Sequence, residues 1–391
     1  MRVLFYTFSF PPKVDGVISR VLNTLFHLHA EGHVLRVATP QQPLSVPDSM
    51  QRAGIAIDHW AGLRLPMYPE QWMGNPVNPR AVFQIVRSLR EFRPDIVHLV
   101  GPDPIHWAVV AVCNLLRIPT VVSYHTDVMS YAARYGVPRW AVRGLQAGYG
   151  WRWIDRVIAT SPSFRQRLLD DHRIRCDAVW PAGVDTSIFY PRAPDPALRA
   201  RLTGGRPERF LFLYAGRFSR EKDLTTLLRF FEPFTEAALA LIGSGPDQSF
   251  HSHQLGDRLY VSEGFWSQAE LARAYASADA FITASCSETL GFSVLEAMAS
   301  GRPIIAPAAQ GLTDLVQHEG RGLLFAPGDI ADAQRQIARL IADPALRTRL
   351  CEQALAHAGT LSWPSATRWL TALYREVITA RTKRADGLGP S

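Results

Sequence analysis

The sequence predicts an α/β protein built from two doubly wound parallel sheets in tandem, and three observations predict it. The chain has 391 residues, which at roughly 100–200 per domain is enough for two domains or three. Short apolar runs alternate with helical patterns along nearly the whole chain. That alternation breaks in a Pro-, Arg- and Gly-rich stretch at 190–209, read as a linker, and then starts again.

The elements follow in order. Val3–Thr7 reads as a strand, then come a Pro/Gly-bearing loop, a helix over Val17–Ala30 closed by Gly32, and a strand at Val34–Ala38. Such a strand–helix–strand unit is expected to be parallel and right-handed. Helix 81–92, strand 96–99, helix 105–116 and strand 120–123 continue it, and Arg156–Ala159 and Ala178–Trp180 close the first sheet. Little polar alternation within the strands implies cover on both faces. The second half repeats the plan with strands 210–215, 239–242, 259–261, 280–283 and 303–306 and helices 224–231, 268–276 and 292–299. Three helical pieces end it, at 330–342, 345–358 and 363–380. The domains are accordingly 1–182, joined by the helix at 363–380, and 183–362. In tandem doubly wound sheets the ligand sites lie beyond the strand carboxyl ends, facing a shared cleft.

An apolar fraction of 47% against 20% charged residues supplies large cores and excludes disorder, collagen-like repeats and coiled coil as the main architecture. The net charge of +7 is uneven, with +6 on residues 1–195 and +1 on residues 196–391. That excess suggests an anionic partner for the first half (nucleic acid, a membrane surface or an acidic substrate) or a plain solvated surface. Lys13, Lys222 and Lys383 are the only lysines in an Arg-rich chain. Cys113, Cys176, Cys286 and Cys351 are far apart and read as buried thiols in a reducing compartment. The N-terminus is too short for a secretory apolar region. The longest apolar run, 105–116, falls below the roughly 20 residues of a spanning helix. The expected location is the cytoplasm, with at most peripheral contact at the inner face of the cell membrane.

The most specific chemical signal is Glu288-Thr289-Leu290-Gly291-Phe292-Ser293-Val294-Leu295-Glu296, which leaves a strand and enters a helix. Backbone N–H groups of Leu290, Gly291 and Phe292 at the helix start form an anion site. The two glutamates lie more than a turn apart, on the order of 8–12 Å at 1.5 Å per residue. That separation suits two ends of an extended ligand better than one acid/base pair; the alternative is a capping glutamate and a solvated one. No Asp-x-Asp occurs in the chain, so a closely spaced carboxylate pair for a divalent cation is missing, and no cofactor is expected.

SETLGFSVLEAMASGRPIIAP resembles the glutamate-x7-glutamate signature of retaining GT-B glycosyltransferases of family 4. FSFPPKVDGVISR, SYHTD, AGVDTSIFYP, YAGRFSREKDL, GSGP and GFWSQAELARAYASADAFITAS occur in the family's order, so the resemblance covers nearly the whole chain. It implies a GT-B fold of two Rossmann-like domains, the first binding acceptor and the second a nucleotide-sugar, which is a substrate and not a cofactor. By the same resemblance, Arg217 and Lys222 hold the donor diphosphate, chemistry that a planar fork and a mobile ammonium suit. Leu290 and Gly291 offer the helix start, Glu288 meets the hexose hydroxyls, and Glu296 takes both ribose hydroxyls. Gly264 and Phe265, with Trp266, line the base pocket. Gly16 lets the backbone approach the diphosphate or sugar, and His125 lies near the anomeric centre. Same-face displacement with retention is the implied course, with cations in place of a metal.

Residues 128–156 carry a net +4 from Arg134, Arg139, Arg143, Arg152 and Arg156 against Asp155, interleaved with Trp140, Tyr149, Trp151 and Trp153. Such a segment suits anionic headgroups, or a packed helical pair with Trp in the core. With FPPKVDG and SYHTD it resembles the glycolipid-forming branch, which includes sulfoquinovosyl-diacylglycerol synthases and diacylglycerol- or phosphatidylinositol-type mannosyltransferases. The expected reaction moves a hexosyl group from a UDP-sugar or GDP-mannose to a hydroxyl, with a membrane lipid as acceptor. A soluble sugar acceptor, a nucleotide-sugar hydrolase or epimerase on the same fold, and a binding protein without catalysis are the competing readings. Arg–Trp interleaving can also stack on single-stranded bases, but no nucleic-acid motif accompanies it, so no nucleic-acid partner is expected. The sequence leaves the oligomeric state open.

Overall fold

The computed structural model describes all residues except 12–14, 42–45, 66–67, 128–137, 139, 141–150, 248–249, 251–254 and 386–391. The chain forms two units, Met1–Pro181 with Trp363–Ser391, and Ala182–Ser362.

The first unit runs β1 (Arg2–Thr7), α1 (Gly16–Ala30), β2 (Val34–Pro40), α2 (Asp48–Arg52), β3 (Ala56–Trp60), β4 (Gly62–Leu65), β5 (Tyr68–Gly74), α3 (Pro79–Phe92), β6 (Ile96–Val100), α4 (His106–Leu115), β7 (Thr120–Tyr124), β8 (Arg156–Ala159), α5 (Pro162–His172) and β9 (Ala178–Val179). Its main sheet is ordered β3-β2-β1-β6-β7-β8-β9, and every pairing is parallel. β4 and β5 form a separate antiparallel pair. The alternation of side chains along a strand sends Val3 and Phe5 into one core and Leu4 and Tyr6 into another.

The second unit contains α6 (Pro196–Leu202), β10 (Phe210–Ala215), α7 (Leu224–Arg229), β11 (Ala237–Ile242), β12 (Leu259–Val261), α8 (Gln268–Ser277), β13 (Ala280–Ile282), α9 (Phe292–Ala299), β14 (Ile304–Pro307), α10 (Gly311–Val316), β15 (Gly322–Phe325), α11 (Ile330–Ala342) and α12 (Pro344–Gly359). Its sheet order is β12-β11-β10-β13-β14-β15, again parallel. Leu211, Leu213 and Ala215 enter one core, and Phe212 and Tyr214 the other. A last helix, α13 (Trp363–Ala385), belongs to the first unit. It buries Leu370, Leu373, Tyr374 and Val377 in the core of Val3 and Phe5 at helical spacing.

Both sheets reverse direction at their founding strand, between β1 and β6 and between β10 and β13. That is the switch point at which doubly wound folds leave a crevice beyond the strand carboxyl ends.

Two expectations are corrected, and one stretch without a reading is filled. The stretch 190–209 is not a linker: the chain passes between units at Pro181 and Ala182. Its arginines are structural, since Arg199 pairs with Asp279 at 2.8 Å and donates to the Ser277 carbonyl at 2.7 Å, while Arg209 pairs with Asp257 at 3.0 Å. Composition reads like a linker because Arg satisfies backbone carbonyls as readily as water. Residues 56–74, for which no element was expected, carry β3, β4 and β5. Of the four free cysteines, Cys113 and Cys176 are buried, but Cys286 and Cys351 are only half-buried. Burial pushes the Cys176 thiol up to about 12. Among the described residues no helix is long and apolar enough to cross a membrane.

Candidate functional site

In the second unit the loops after β10, β11 and β13 converge on the switch point. The ammonium of Lys222 donates to Glu288 Oε1, and both side chains are about one-fifth exposed, at 19% and 20%. Two serines secure this meeting of the loops. Ser285 Oγ donates to the Glu221 carbonyl at 3.3 Å and Ser287 Oγ to the same carbonyl at 3.5 Å, so the turn carrying Lys222 is fastened to the loop carrying Glu288. Ser219 Oγ holds the Glu221 carboxylate at 2.5 Å.

Arg217, half-buried, follows β10 directly. The Tyr214 hydroxyl donates to its carbonyl at 3.0 Å. Burial, then the charges of Glu288 and Glu221, push that phenol well above its usual range, so it stays a donor. Close backbone approach makes the glycines of this region obligatory. A Cβ on Gly243 would lie 1.8 Å from the Gly216 carbonyl oxygen, and one on Gly245 would lie 2.0 Å from that of Phe218.

α9 is capped at its N-terminus by Gly291, which has φ 92°. A left-handed residue there turns the chain from the Glu288 loop into the helix at no Cβ cost. Leu290 is 5% exposed and belongs to the core, so its side chain anchors the loop while its backbone stands at the helix start. On the far side, the Gly311 amide donates to the Glu288 carbonyl at 3.0 Å. A Cβ on Gly311 would lie 2.4 Å from the Thr289 carbonyl oxygen.

Glu296 lies in the second turn of α9, half-buried. Tyr275 OH donates to its Oε2 at 3.2 Å and to the Ser293 carbonyl at 3.0 Å. Burial raises the carboxyl to about 7, against a smaller lowering by the Tyr275 bond. Gly264 sits beside the β11 loop because Ser262 Oγ donates to the Gly264 and Gly243 carbonyls, each at 2.9 Å, and accepts from the Gly243 amide at 2.8 Å. Phe265 is 46% exposed. Trp266 packs edge-on against Tyr260 and on the core.

Gly16 and His125 belong to the first unit. Gly16 opens α1 behind Asp15, whose carboxylate caps the Ile18 amide at 2.8 Å and is held by Ser9 Oγ at 2.7 Å. His125 follows β7 and is buried at 6% exposure. Its Nε2 lies 2.8 Å from Ser123 Oγ, and its ring meets Trp180 edge-on at 5.8 Å. Lys13, Arg134, Arg139, Arg143 and Tyr149 lie outside the described residues. Trp140, Trp153 and Arg152 are exposed, and Arg156 pairs with Glu376 at 3.0 Å. Among the described residues no three His, Cys, Asp or Glu side chains gather to hold a metal ion.

The second unit thus gathers Arg217, Lys222, Glu288, Gly291, Glu296 and Gly264 around the carboxyl end of one sheet. Ser285, Ser287, Tyr214 and Gly311 escaped sequence reading. The serines flanking Cys286 in SCSET were the available signal.

Residues 14–188 match the glycosyltransferase family 4 pattern, and residues 203–357 match that of the glycosyl transferases group 1. Sulfoquinovosyl transferase SQD2 of Arabidopsis thaliana is 31% identical over 96% of this chain and 74% of its own. The GDP-mannose-dependent alpha-mannosyltransferase of Mycobacterium tuberculosis is 31% identical over 98% of this chain and 99% of its own. The structure of Anabaena HepE with UDP and glucose superposes with a TM-score of 0.76 at 18% identity, covering 95% of this chain and 99% of that one. The chain belongs to the family 4 (group 1) glycosyltransferases and has their GT-B fold of two Rossmann-like domains.

Proposed function

We propose that the protein is a retaining hexosyltransferase that moves a sugar from a nucleotide-sugar, a UDP-sugar or GDP-mannose, to a lipid hydroxyl without a metal. The observation that carries this reading is the Lys222–Glu288 pair at the switch point, beside Arg217 and the start of α9. Arg217, Lys222 and the amides at Leu290 and Gly291 neutralise the departing diphosphate, a role for fixed cations and N–H dipoles. Glu288 takes the hexose hydroxyls and keeps Lys222 aimed at the phosphates. Glu296, one helical turn deeper, takes both ribose hydroxyls as a carboxylate. Gly264 and Phe265 face the base, Gly16 the diphosphate or sugar, and His125 the anomeric region. The acceptor oxygen bonds to the anomeric carbon as the bond to the diphosphate breaks on the same face, and the hydroxyl proton leaves with the phosphate oxygen.

The glycolipid branch that the sequence resembles supports a lipid acceptor such as diacylglycerol. So do the individually exposed side chains of Trp107, Trp140, Trp153 and Leu115. Asn114 Nδ2 donates to the Trp153 carbonyl at 3.0 Å, which sets that residue beside the end of α4 where Leu115 stands. Such residues, with Arg152, suit peripheral contact with an anionic membrane.

The test is a donor screen. UDP- and GDP-sugars are incubated with diacylglycerol and with soluble sugars, and products are read by mass and anomeric configuration. A lipid product with the donor's configuration is expected. An inverted product overturns retention, a product with soluble sugars alone overturns the lipid acceptor, and free sugar or epimer formed without acceptor overturns transfer.

A further inference from the structure

Four buried polar groups of the first unit form one unbroken hydrogen-bonded line. His125 Nε2 lies 2.8 Å from Ser123 Oγ. The same Oγ lies 2.8 Å from His98 Nε2, and His98 Nδ1 meets the hydroxyl of Tyr374 on α13. Ser123 is 1% exposed, and His98 and Tyr374 are 0% exposed. Aromatic rings wall the line: Phe5 stacks on His98 at 4.8 Å, and Trp180 lies against both imidazoles at 5.5 and 5.8 Å.

Proton counting fixes the direction of this line. A serine hydroxyl has one proton and two lone pairs, and among the described residues the two imidazole nitrogens are the only hydrogen-bond partners of Ser123 Oγ, so it donates to one and accepts from the other. The two rings therefore hold opposite tautomers while both are neutral. At the far end the Tyr374 hydroxyl is fully buried, and His98 Nδ1 is its hydrogen-bond partner. A buried phenol that failed to donate would leave a proton unpaired, which is costly. Tyr374 donates to His98 Nδ1, His98 Nε2–H donates to Ser123, and Ser123 donates to His125 Nε2.

We propose that Tyr374, His98 and Ser123 are positioning residues that lock His125 as the neutral Nδ1–H tautomer, making it a hydrogen-bond donor and not a general base. The Nε2 lone pair is occupied by Ser123 and the other nitrogen carries the proton, so neither can accept one from an acceptor hydroxyl. Neutrality has a separate cause. Burial, then the Arg20 guanidinium and His106, push His98 down to about 3. Burial, Arg20 and His98 hold His125 well below the usual imidazole range. Arg20 is itself 0% exposed, lies 4.0 Å over the Trp180 ring, and donates to the Trp180 and Pro181 carbonyls at 2.7 and 2.6 Å. It supplies a fixed positive charge that opposes an imidazolium. The catalytic consequence rests on the proposal above that His125 faces the reacting sugar. The tautomer itself does not.

The experiment is histidine-selective ¹⁵N NMR on the full chain, with His125 and His98 assigned from His125→Gln and His98→Gln. The expected His125 spectrum has an unprotonated, pyridine-type Nε2 and a protonated, pyrrole-type Nδ1, with His98 the reverse. Tyr374→Phe, which keeps the ring and removes only the hydroxyl, should mix the tautomers of both histidines. Ser123→Ala should mix that of His125, and Ser123→Thr, which restores a hydroxyl, should reverse the change. A protonated Nε2 on His125 in the unsubstituted protein, measurable whatever the variants do, overturns the proposal. So does a His125 spectrum indifferent to a folded Tyr374→Phe chain. In transfer assays Tyr374→Phe should lower kcat about tenfold, the worth of one hydrogen bond, with donor KM unchanged. Tautomer mixing at full kcat would leave the relay standing and overturn only the placement of His125 at the reacting sugar.

Discussion

The two units share a strand order but put it to opposite electrostatic use. Beyond the carboxyl ends of β10 and β13 the second unit keeps charges partly exposed, with Lys222 paired on Glu288 and Arg217 on the same loop as Lys222. Within β6 and β7 and just past the end of β7, the first unit keeps neutral groups buried, with His98, Ser123 and His125 in line and an unexposed cation, Arg20, nearby. A leaving group that carries charge calls for preorganised counter-charges it can reach, whereas a group that must hold one orientation is better locked inside. Net charge therefore says little about where anion chemistry sits. The half of the chain with +1 holds the paired cations, and the half with +6 spends its surplus elsewhere.

The comparison breaks first at the charged crevice. Lys222→Ala and Glu288→Ala should each cost about 10²–10³-fold in kcat, the scale of removing one preorganised electrostatic contact. If both variants bind nucleotide-sugar and transfer sugar as the unsubstituted protein does, the crevice beyond β10 and β13 is not the site. Glu296 sharpens the same point more gently. Its carboxyl titrates near 7, and only the ionised form accepts from two ribose hydroxyls. Donor KM should rise about tenfold per pH unit below 7, and Glu296→Gln should flatten that dependence while raising KM at pH 8. A KM that does not vary between pH 5.5 and 8 in the unsubstituted chain would remove Glu296 from the donor site.

How much was legible follows from the same contrast. The second unit's site announces itself because its parts are local: Glu288 and Glu296 share one loop and helix, and Arg217 and Lys222 share one turn. Cover on both sheet faces was legible as well, since β10 and β11 are continuous apolar runs that only a doubly covered sheet accepts. The relay of the first unit was not. His98, Ser123 and Tyr374 are each ordinary residues of a strand or helix, and Tyr374 stands 276 residues from His98. Only folding α13 back onto the first core brings them together. The hairpin β4–β5 was missed for a related reason. The signal at 62–74 is a mixture of charge, proline and aromatics without period, and what orders Gly74 is Asp103, which accepts its amide at 3.1 Å from a distant loop.

Acid should separate the units. Unfolded His98 and His106 take up protons below about pH 6.5, but the folded chain holds both near 3 by burial, so acidification favours unfolding. Asp103 opposes this, because burial raises it to about 6 and the folded form keeps its proton longer. Two histidines against one carboxyl leave the first unit losing about 1.4 kcal/mol per pH unit between pH 6 and 5, with His125 adding in the same direction. Glu296 gives the second unit a contribution of the reverse sign, opposed there by His357, which burial and then Arg321 hold low. The Glu296 carboxyl, raised to about 7, binds a proton more readily folded than unfolded, a gain of about 1 kcal/mol per pH unit in that window. Surface carboxylates such as Asp195, held low by Arg273, titrate below it. Hydrogen exchange by mass spectrometry, corrected for intrinsic rates, should show β6 and β7 losing protection from pH 6 to 5 while β13 and β14 hold or gain. Parallel loss in both sheets would mean that the buried histidines do not set the acid response.

The smallest effect tests what the first unit's surplus charge is for. Trp153 and Leu115 stand exposed, the Trp153 carbonyl held by Asn114 next to Leu115 at the end of α4, and Arg152 precedes that tryptophan. An exposed indole that inserts among headgroups contributes by buried area at about 25 cal/mol per Å². The double variant Trp153→Ala, Leu115→Ala should therefore weaken binding to vesicles containing anionic lipid by roughly three- to tenfold. Neither side chain is buried, so Tm should move little. Transfer to a short-chain, water-soluble diacylglycerol should stay unchanged, because neither residue belongs to the second unit's crevice or to the buried relay. Unchanged vesicle binding would detach this surface from the membrane. A parallel fall in transfer to the soluble acceptor would instead make α4 part of the acceptor site, and the contrast between a charged donor unit and a neutral, buried acceptor unit would then need an aromatic contact added to its second half.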